Sequence, residues 1–312
     1  MNTPIQIWLL ADGKPGHVNQ SLGLAEALAR RTATETHRID VEADRSLAGR
    51  VRALRKTTDG LPAPDLLIGA GHRTHLPMLW LSRRHRAPTV VLMRPTLPLR
   101  LFGLCLVPRH DLARMPPPPN VIPTLGALNR VVPGLPESAK GRLILIGGPS
   151  AHHGWNGETL AAAIREIVSE PCDPPWEAAD SRRTPERFLE RLAEESPGLP
   201  VHPHGETGPD WLARRFSTIA EAWVTEDSVS MVCEALTAGA RVGVLPMPRT
   251  SKKSRVVRGL EILVADGYAT PFDTWHARRA LSPPPSRLAE ADRCAEIILT
   301  RFFADAKSNS GP

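Results

Sequence analysis

The stretch "VTEDSVSMVCEALTAGARVGVLPM", residues 224–247, decides the fold. Its two ends are apolar and β-branched, the make-up of buried strands. Between them, Asp227 and Ser228 carry side-chain oxygens suited to the first N–H groups of a helix, and Gly239 suits the left-handed position that closes one. Strand, capped helix and strand form a βαβ unit. A helix that starts directly after a strand also presents free N–H groups and a partial positive charge, which suit phosphate. Capping accounts for Asp227 and Ser228 but not for Glu234, a carboxylate on a helix that otherwise reads apolar or small. A carboxylate there is placed to accept hydrogen bonds from a sugar diol.

The same alternation runs outward along the chain. Strands are expected at 5–11, 65–70, 88–93, 102–108 and near 120–128, with helices at 21–31 and about 76–86. "VVPGLPESAKG" (131–141) is rich in turn formers and reads as a linker. The pattern restarts after it: strands at 142–148 and 175–181, and helices at 157–170, 184–196, 208–217, 254–267 and 287–303. Thr184 and Pro185 read as the N-cap and first residue of the 184–196 helix. This predicts α/β architecture with two Rossmann-like domains, 1–135 and 136–312, facing each other across a cleft.

Composition bounds the function. The chain has 312 residues, 41% hydrophobic and 23% charged, with a net charge of +6 spread along its length. Aromatics make up 4%, with one Tyr, so stacking platforms for bases are poorly supplied and nucleic acid is not an expected partner. Mild basicity fits phosphorylated ligands or an anionic membrane surface. "LPMLWLSRRHRAP" (76–88) has the make-up of a helix that lies on a bilayer or packs one face into a core. No apolar run reaches the ~18 residues of a membrane span, and no signal-peptide pattern is present, so a cytoplasmic protein is expected. Cys105, Cys172, Cys233 and Cys294 are too dispersed for a zinc or redox motif, and no metal site is expected.

In open α/β sheets, ligands bind beyond the carboxyl ends of the strands, so the loops there are the candidates. "ADGKPGHVNQ" (11–20) holds Asp12, Lys14, His17 and Gln20. Imidazole titrates near neutrality and suits a general base; Asp12 either orients His17 or acts itself. "GAGHRTH" (69–75) lacks the third glycine of a dinucleotide fingerprint and offers His72, Arg73 and Thr74 to an acceptor or anion. "IGGPSAHH" (146–153) has Gly147 and Gly148 for close backbone approach, with Ser150 beside them. "ADSRRTPE" (179–186) adds Ser181, Arg182 and Arg183, and "MPRTSKKSRVVRG" (247–259) adds Lys252 and Lys253. Together with Asp227, Ser228, Ser230, Met231 and Glu234 they converge on a phosphate-bearing ligand in the second half.

Five stretches in this order carry a resemblance over nearly the whole chain: "ADGKPGHVNQSLGLAEAL", "LIGGPSAHHGW", "DSRRTPERF", "VTEDSVSMVCEAL" and "SKKSRVVRGLEILVADGYATPFD". The sequence resembles a bacterial and plant family of glycosyltransferase-like proteins named after a plant mitochondrial-fission factor. The resemblance implies a glycosyltransferase-B fold, a nucleotide-sugar donor in the C-terminal half and an acceptor in the N-terminal half, with Glu234 set against the donor ribose. The expected activity is transfer of the sugar to a cell-envelope glycan or glycolipid at the inner face of the membrane. That transfer is expected to be metal-independent, inverting and free of a cofactor, and the basic composition suits peripheral contact with an anionic membrane. The alternatives are a non-catalytic scaffold that recruits a membrane-remodelling partner and a nucleotide-sugar epimerase or hydrolase.

Overall fold

A computed structural model describes residues 3–41, 47–112, 116–134, 139–208, 211–250 and 254–304. The chain folds as two α/β units: one takes the chain up to Arg130 and again from Ala289, the other Val131–Leu288. Lys252 and Lys253, like part of the expected linker, lie outside the described residues.

The first unit is a six-stranded sheet of β1 (Ile5–Ala11), β2 (Thr34–Asp40), β3 (Leu66–Ala70), β4 (Thr89–Leu92), β5 (Leu104–Pro108) and β6 (Val121–Thr124). Its order is β2-β1-β3-β4-β5-β6, and every pairing is parallel. Parallel neighbours need crossovers, which supply helices on both faces. Along β1, Ile7 and Leu9 point to one face and Trp8 and Leu10 to the other, and all four are buried. The Ile7 face packs against α1 (Pro15–Ala29) and α10 (Glu290–Phe302). The Trp8 face packs against α2 (Leu47–Thr58) and α3 (His72–His85).

The second unit repeats the plan. Strands β7 (Gly141–Leu145), β8 (Trp176–Ala179), β9 (Val201–His202), β10 (Ile219–Thr225), β11 (Arg241–Leu245) and β12 (Ala269–Pro271) run parallel in the order β12-β11-β10-β7-β8-β9. Around them lie α4 (Gly157–Val168), α5 (Phe188–Glu195), α6 (Trp211–Phe216), α7 (Val229–Ala238), α8 (Arg255–Ala265) and α9 (Phe272–Arg278). Trp223 on β10 is fully buried and meets Trp275 of α9 edge-on at 5.4 Å. The stretch that decided the fold is therefore β10, α7 and β11, closed by Gly239 at φ 103°.

Three expectations need correction. The boundary falls at Arg130/Val131 rather than 135/136, and the last helix belongs to the first unit, not the second. The reason lies in its buried stripe: Cys294, Ala295, Ile298 and Leu299 complete the core under α1, while Asp292 pairs with Arg30 at 2.8 Å. The helix expected from Thr184 begins only at Phe188, after Arg187 in left-handed geometry at φ 63°. Thr184 does not cap it; its hydroxyl donates to the Gly147 carbonyl at 2.6 Å. β2, α2, β9, β12 and α9 were not expected. β2 is an edge strand with only Ile39 buried, so its sequence carries no apolar alternation.

Because Ile298 is fully buried against α1, Ile298→Ala should destabilise the first unit by about 2–5 kcal/mol. Denaturant unfolding with a probe in each unit checks this: the first unit's midpoint should fall and the second's should stay.

Candidate functional site

In the first unit the candidate residues gather at the carboxyl ends of β1 and β3. Asp12 follows β1 with no exposed side-chain surface. One of its oxygens accepts the Lys14 N–H at 3.1 Å, which ties the turn into α1. The other lies 2.8 Å from Nδ1 of His17, whose side chain is 21% exposed. A neutral His17 that donates from Nδ1 carries its lone pair on Nε2, where a proton can be accepted. Gly71, at φ +89° after β3, closes over this pair: a Cβ there would overlap Asp12 Oδ2 and lie 2.5 Å from His17 Nδ1. Only glycine leaves room for the contact.

The remaining first-unit candidates divide. His72 and Arg73 are exposed on the first turn of α3. Thr74 is fully buried and donates its hydroxyl to the Gly71 carbonyl at 2.8 Å, so it holds the turn. Lys14 is exposed, and Gln20 is half-buried with its amide 4.0 Å from Met93 Sδ. His75, not among the expected site residues, is buried, meets Thr96 Oγ1 at 3.3 Å, and is held below the ordinary histidine value by burial and then by His72.

In the second unit, Gly147 and Gly148 follow β7 beside the start of α7. Sequence reasoning expected their backbone to approach a ligand. In the structure it is the protein itself that approaches: Gly147 N–H donates to Thr225 Oγ1 at 2.8 Å, and Gly148 N–H to Asp227 Oδ2 at 3.1 Å. A Cβ on Gly147 would overlap both Asp227 oxygens and Ser228 Oγ, and one on Gly148 would overlap the Arg183 carbonyl. Ser228 occupies the N-cap position without making a cap bond. Its hydroxyl donates to Asp227 at 3.0 Å and accepts from Arg183 at 3.1 Å. Arg183 also reaches Asp227 Oδ2 at 2.7 Å and the Gly148 carbonyl at 3.2 Å, yet its side chain stays 43% exposed. Arg182 is exposed beside it, and Ser181 Oγ accepts the Arg183 N–H at 3.3 Å.

Along α7, exposed Ser230 and half-buried Glu234 are four residues apart and share a face, with half-buried Met231 next to Ser230. Ser150 Oγ accepts the N–H groups of His152 (3.2 Å) and His153 (3.1 Å), fixing the loop after β7. That loop bridges to the one after β11 through Thr250 N–H on the His152 carbonyl (3.0 Å). Sequence reasoning missed Thr225 and His153 here. A threonine that ends a central strand, next to a glycine pair on the neighbouring strand, is the signal for the first. His153 lay within the quoted loop, but nothing in its surroundings marked it as buried. Among the described residues, no group of three or more His, Cys, Asp or Glu is placed to hold a metal, and no helix is long and apolar enough to cross a membrane.

A family model described as "Mitochondrial fission ELM1" matches residues 15–302 of this chain. Among solved structures, the chain is similar to a protein of Listeria monocytogenes assigned as a UDP-N-acetylglucosamine 2-epimerase, with TM-score 0.61, 12% identity and 99% of each chain covered. The glycotransferase of kitacinnamycin matches with TM-score 0.55 and 16% identity, over 96% of this chain and all of the other. A UDP-GlcNAc 2-epimerase of Neisseria meningitidis, solved bound to UDP-GlcNAc, matches with TM-score 0.52 and 12% identity, over 96% and 100%. These likenesses establish the glycosyltransferase-B fold.

His153 is fully buried, its Nδ1 has no hydrogen-bond partner, and burial holds it below the ordinary value of 6.5, with Glu226 and Asp227 pulling the other way. Its folded pKa is thus below its unfolded one, so the unfolded chain binds more protons as pH falls. The contribution is intact above about 6.5 and is lost as pH drops through the folded value. Denaturation midpoints measured from about pH 7.5 to about pH 5 should decline, and His153→Gln should flatten part of that decline.

Proposed function

The chain belongs to the Mitochondrial fission ELM1 family, and from that premise and the two sites we propose a glycosyltransferase that uses a nucleotide-activated sugar. The observation that carries this reading is the start of α7: a helix N-terminus and the part-exposed guanidinium of Arg183, with Ser230 and Glu234 on one helix face. Diphosphate oxygens suit the guanidinium and the helix end. A ribose diol suits the carboxylate of Glu234, about one and a half turns along. The fold's likeness to proteins whose names include UDP-sugars supports a nucleotide sugar as the ligand.

His17 is the proposed base. In a single displacement the acceptor oxygen attacks the anomeric carbon, and the bond from that carbon to the diphosphate oxygen breaks. The hydroxyl proton passes to Nε2 of His17. Asp12 fixes the ring at Nδ1 and stabilises the imidazolium that forms. Arg182, Arg183 and the start of α7 stabilise the departing diphosphate, which requires no metal in this scheme. The proposed acceptor is a cell-envelope glycan or glycolipid, with His72 and Arg73 as its contacts in the first unit. The epimerase structures favour a second reading, a nucleotide-sugar epimerase or hydrolase, which turns over its substrate with no acceptor present.

Three measurements test the proposal. A saturating UDP-sugar should stabilise the second unit, by about 2.7 kcal/mol at a hundredfold excess over Kd. Glu234→Ala should weaken that binding by more than about 1 kcal/mol while the helix persists. His17→Ala should bind donor as the parent does but lose on the order of 10²–10⁴ in turnover. Unchanged donor binding in Glu234→Ala moves the donor site elsewhere, and full turnover in His17→Ala removes it as the base. Sugar-nucleotide conversion without acceptor, followed by product analysis, would favour the second reading.

A further inference from the structure

The expectation that charge is spread along the chain needs correction, because the basic excess lies in one segment. Between Leu47 and Leu101 the sequence has ten Lys and Arg against two acids, whereas the rest of the chain has 29 against 31. This segment supplies α2, α3 and the short 3-10 turn Leu99–Leu101, and both helices cover the same face of the first sheet. Arg52, Arg55 and Lys56 on α2, Arg83 and Arg84 on α3, and Arg86 and Arg100 beside them are exposed, and none forms an ion pair with a described residue. The opposite helix layer of the same unit is different. There Arg30 and Arg31 pair with Asp292, Arg130 with Glu26, and Arg293 with Glu290.

Apolar groups stand among these cations. The exposed large hydrophobic residues of the described chain are Leu76 (57%), Leu101 (39%) and Val132 (62%), and the first two belong to this layer. His75 meets Phe102 with ring centroids 5.5 Å apart, which brings the residues next to them, Leu76 and Leu101, into one neighbourhood. Trp80, half-buried on α3, has Arg55 at 5.8 Å and Arg84 at 5.9 Å from its ring. Unpaired guanidiniums around protruding leucines and an amphipathic indole are complementary to an interface that is anionic at the surface and apolar just below it.

We propose that the α2–α3 layer of the first unit docks on an anionic phospholipid bilayer, with the arginines on headgroups and Leu76 and Leu101 inserted between them. A nucleic acid would use the same cations but would leave the leucines in water, and the one indole present is already covered by two guanidiniums. The inference is independent of the glycosyltransferase reading, since it concerns none of the residues assigned to donor or base.

The test is sedimentation of the full chain with vesicles of phosphatidylcholine containing about one-third phosphatidylglycerol, beside vesicles of phosphatidylcholine alone. The chain should bind the first and not the second, less so as salt is raised. Arg55→Ala/Arg84→Ala/Arg100→Ala should lower partitioning about fivefold per cation removed, on the order of 10² in all. Leu76→Ser/Leu101→Ser should also weaken vesicle binding but leave retention on heparin unchanged. All five positions are exposed, and an unshifted melting temperature verifies the fold. Equal binding to neutral vesicles, no binding to either, or full binding by the arginine variant would overturn the proposal. Vesicle binding indifferent to the leucines, with heparin retention lost in the arginine variant, would make the surface a polyanion site instead.

Discussion

Three loops of the second unit converge on one carboxylate. Asp227 has no exposed side-chain surface, and its Oδ2 takes the Gly148 N–H from the loop after β7, the Arg183 guanidinium from the loop after β8, and the Ser228 hydroxyl beside it. A carboxylate withdrawn from water is costly unless it is paired and hydrogen-bonded, so these partners are held to it as firmly as it is held to them. This explains why both glycines are required: the space a Cβ would take is filled by Asp227, Ser228 and the backbone of Arg183. It also uses up the backbone donors of the glycine loop. The N–H groups of Gly147 and Gly148 are engaged within the protein, whereas Arg182 and the outer flank of Arg183 stay exposed.

The first unit uses the same device. Asp12 follows β1, β1 pairs with β3, and Gly71 at the end of β3 presses on the carboxylate. In the second unit Asp227 follows β10, β10 pairs with β7, and Gly147 just after β7 presses on it. In each sheet, then, a buried carboxylate beyond one central strand is covered by a glycine beyond its neighbour. Parallel pairing brings those strand ends together, and each of the four residues stands within two positions of its strand end, so the sheet order places aspartate and glycine side by side.

Much of this was legible in the sequence, because apolar runs bounded by glycine, proline and capping residues mark central strands and their helices. What escaped has identifiable causes. β2 is an edge strand whose exposed face is polar, and α2 is so rich in arginine that its apolar stripe is thin. The placement of α10 in the first unit depends on contacts with α1, hundreds of residues earlier in the chain, which no local pattern encodes. At the site, the candidate loops lie at strand ends as their sequence indicates, but a local pattern does not show which partner a side chain takes within them. A Thr-Pro pair looks the same in sequence whether its hydroxyl caps a helix or, like Thr184, bonds the Gly147 carbonyl. The basic layer was hidden by averaging, since an acidic remainder brings the whole chain to only +6.

The two carboxylates differ in what they hold. Arg183 meets Asp227 Oδ2 at 2.7 Å and Ser228 Oγ at 3.1 Å and leaves 43% of its side chain exposed, so the pair is a fixed element that still shows guanidinium surface. His17 meets Asp12 through Nδ1 at 2.8 Å, which leaves Nε2 as the ring nitrogen the carboxylate does not engage. The same backbone arrangement thus holds a guanidinium in one unit and an imidazole in the other, from the choice of one side chain beside a buried aspartate. The transfer proposed above calls for both groups: a positive charge where the leaving group departs, and a base where the nucleophile is deprotonated.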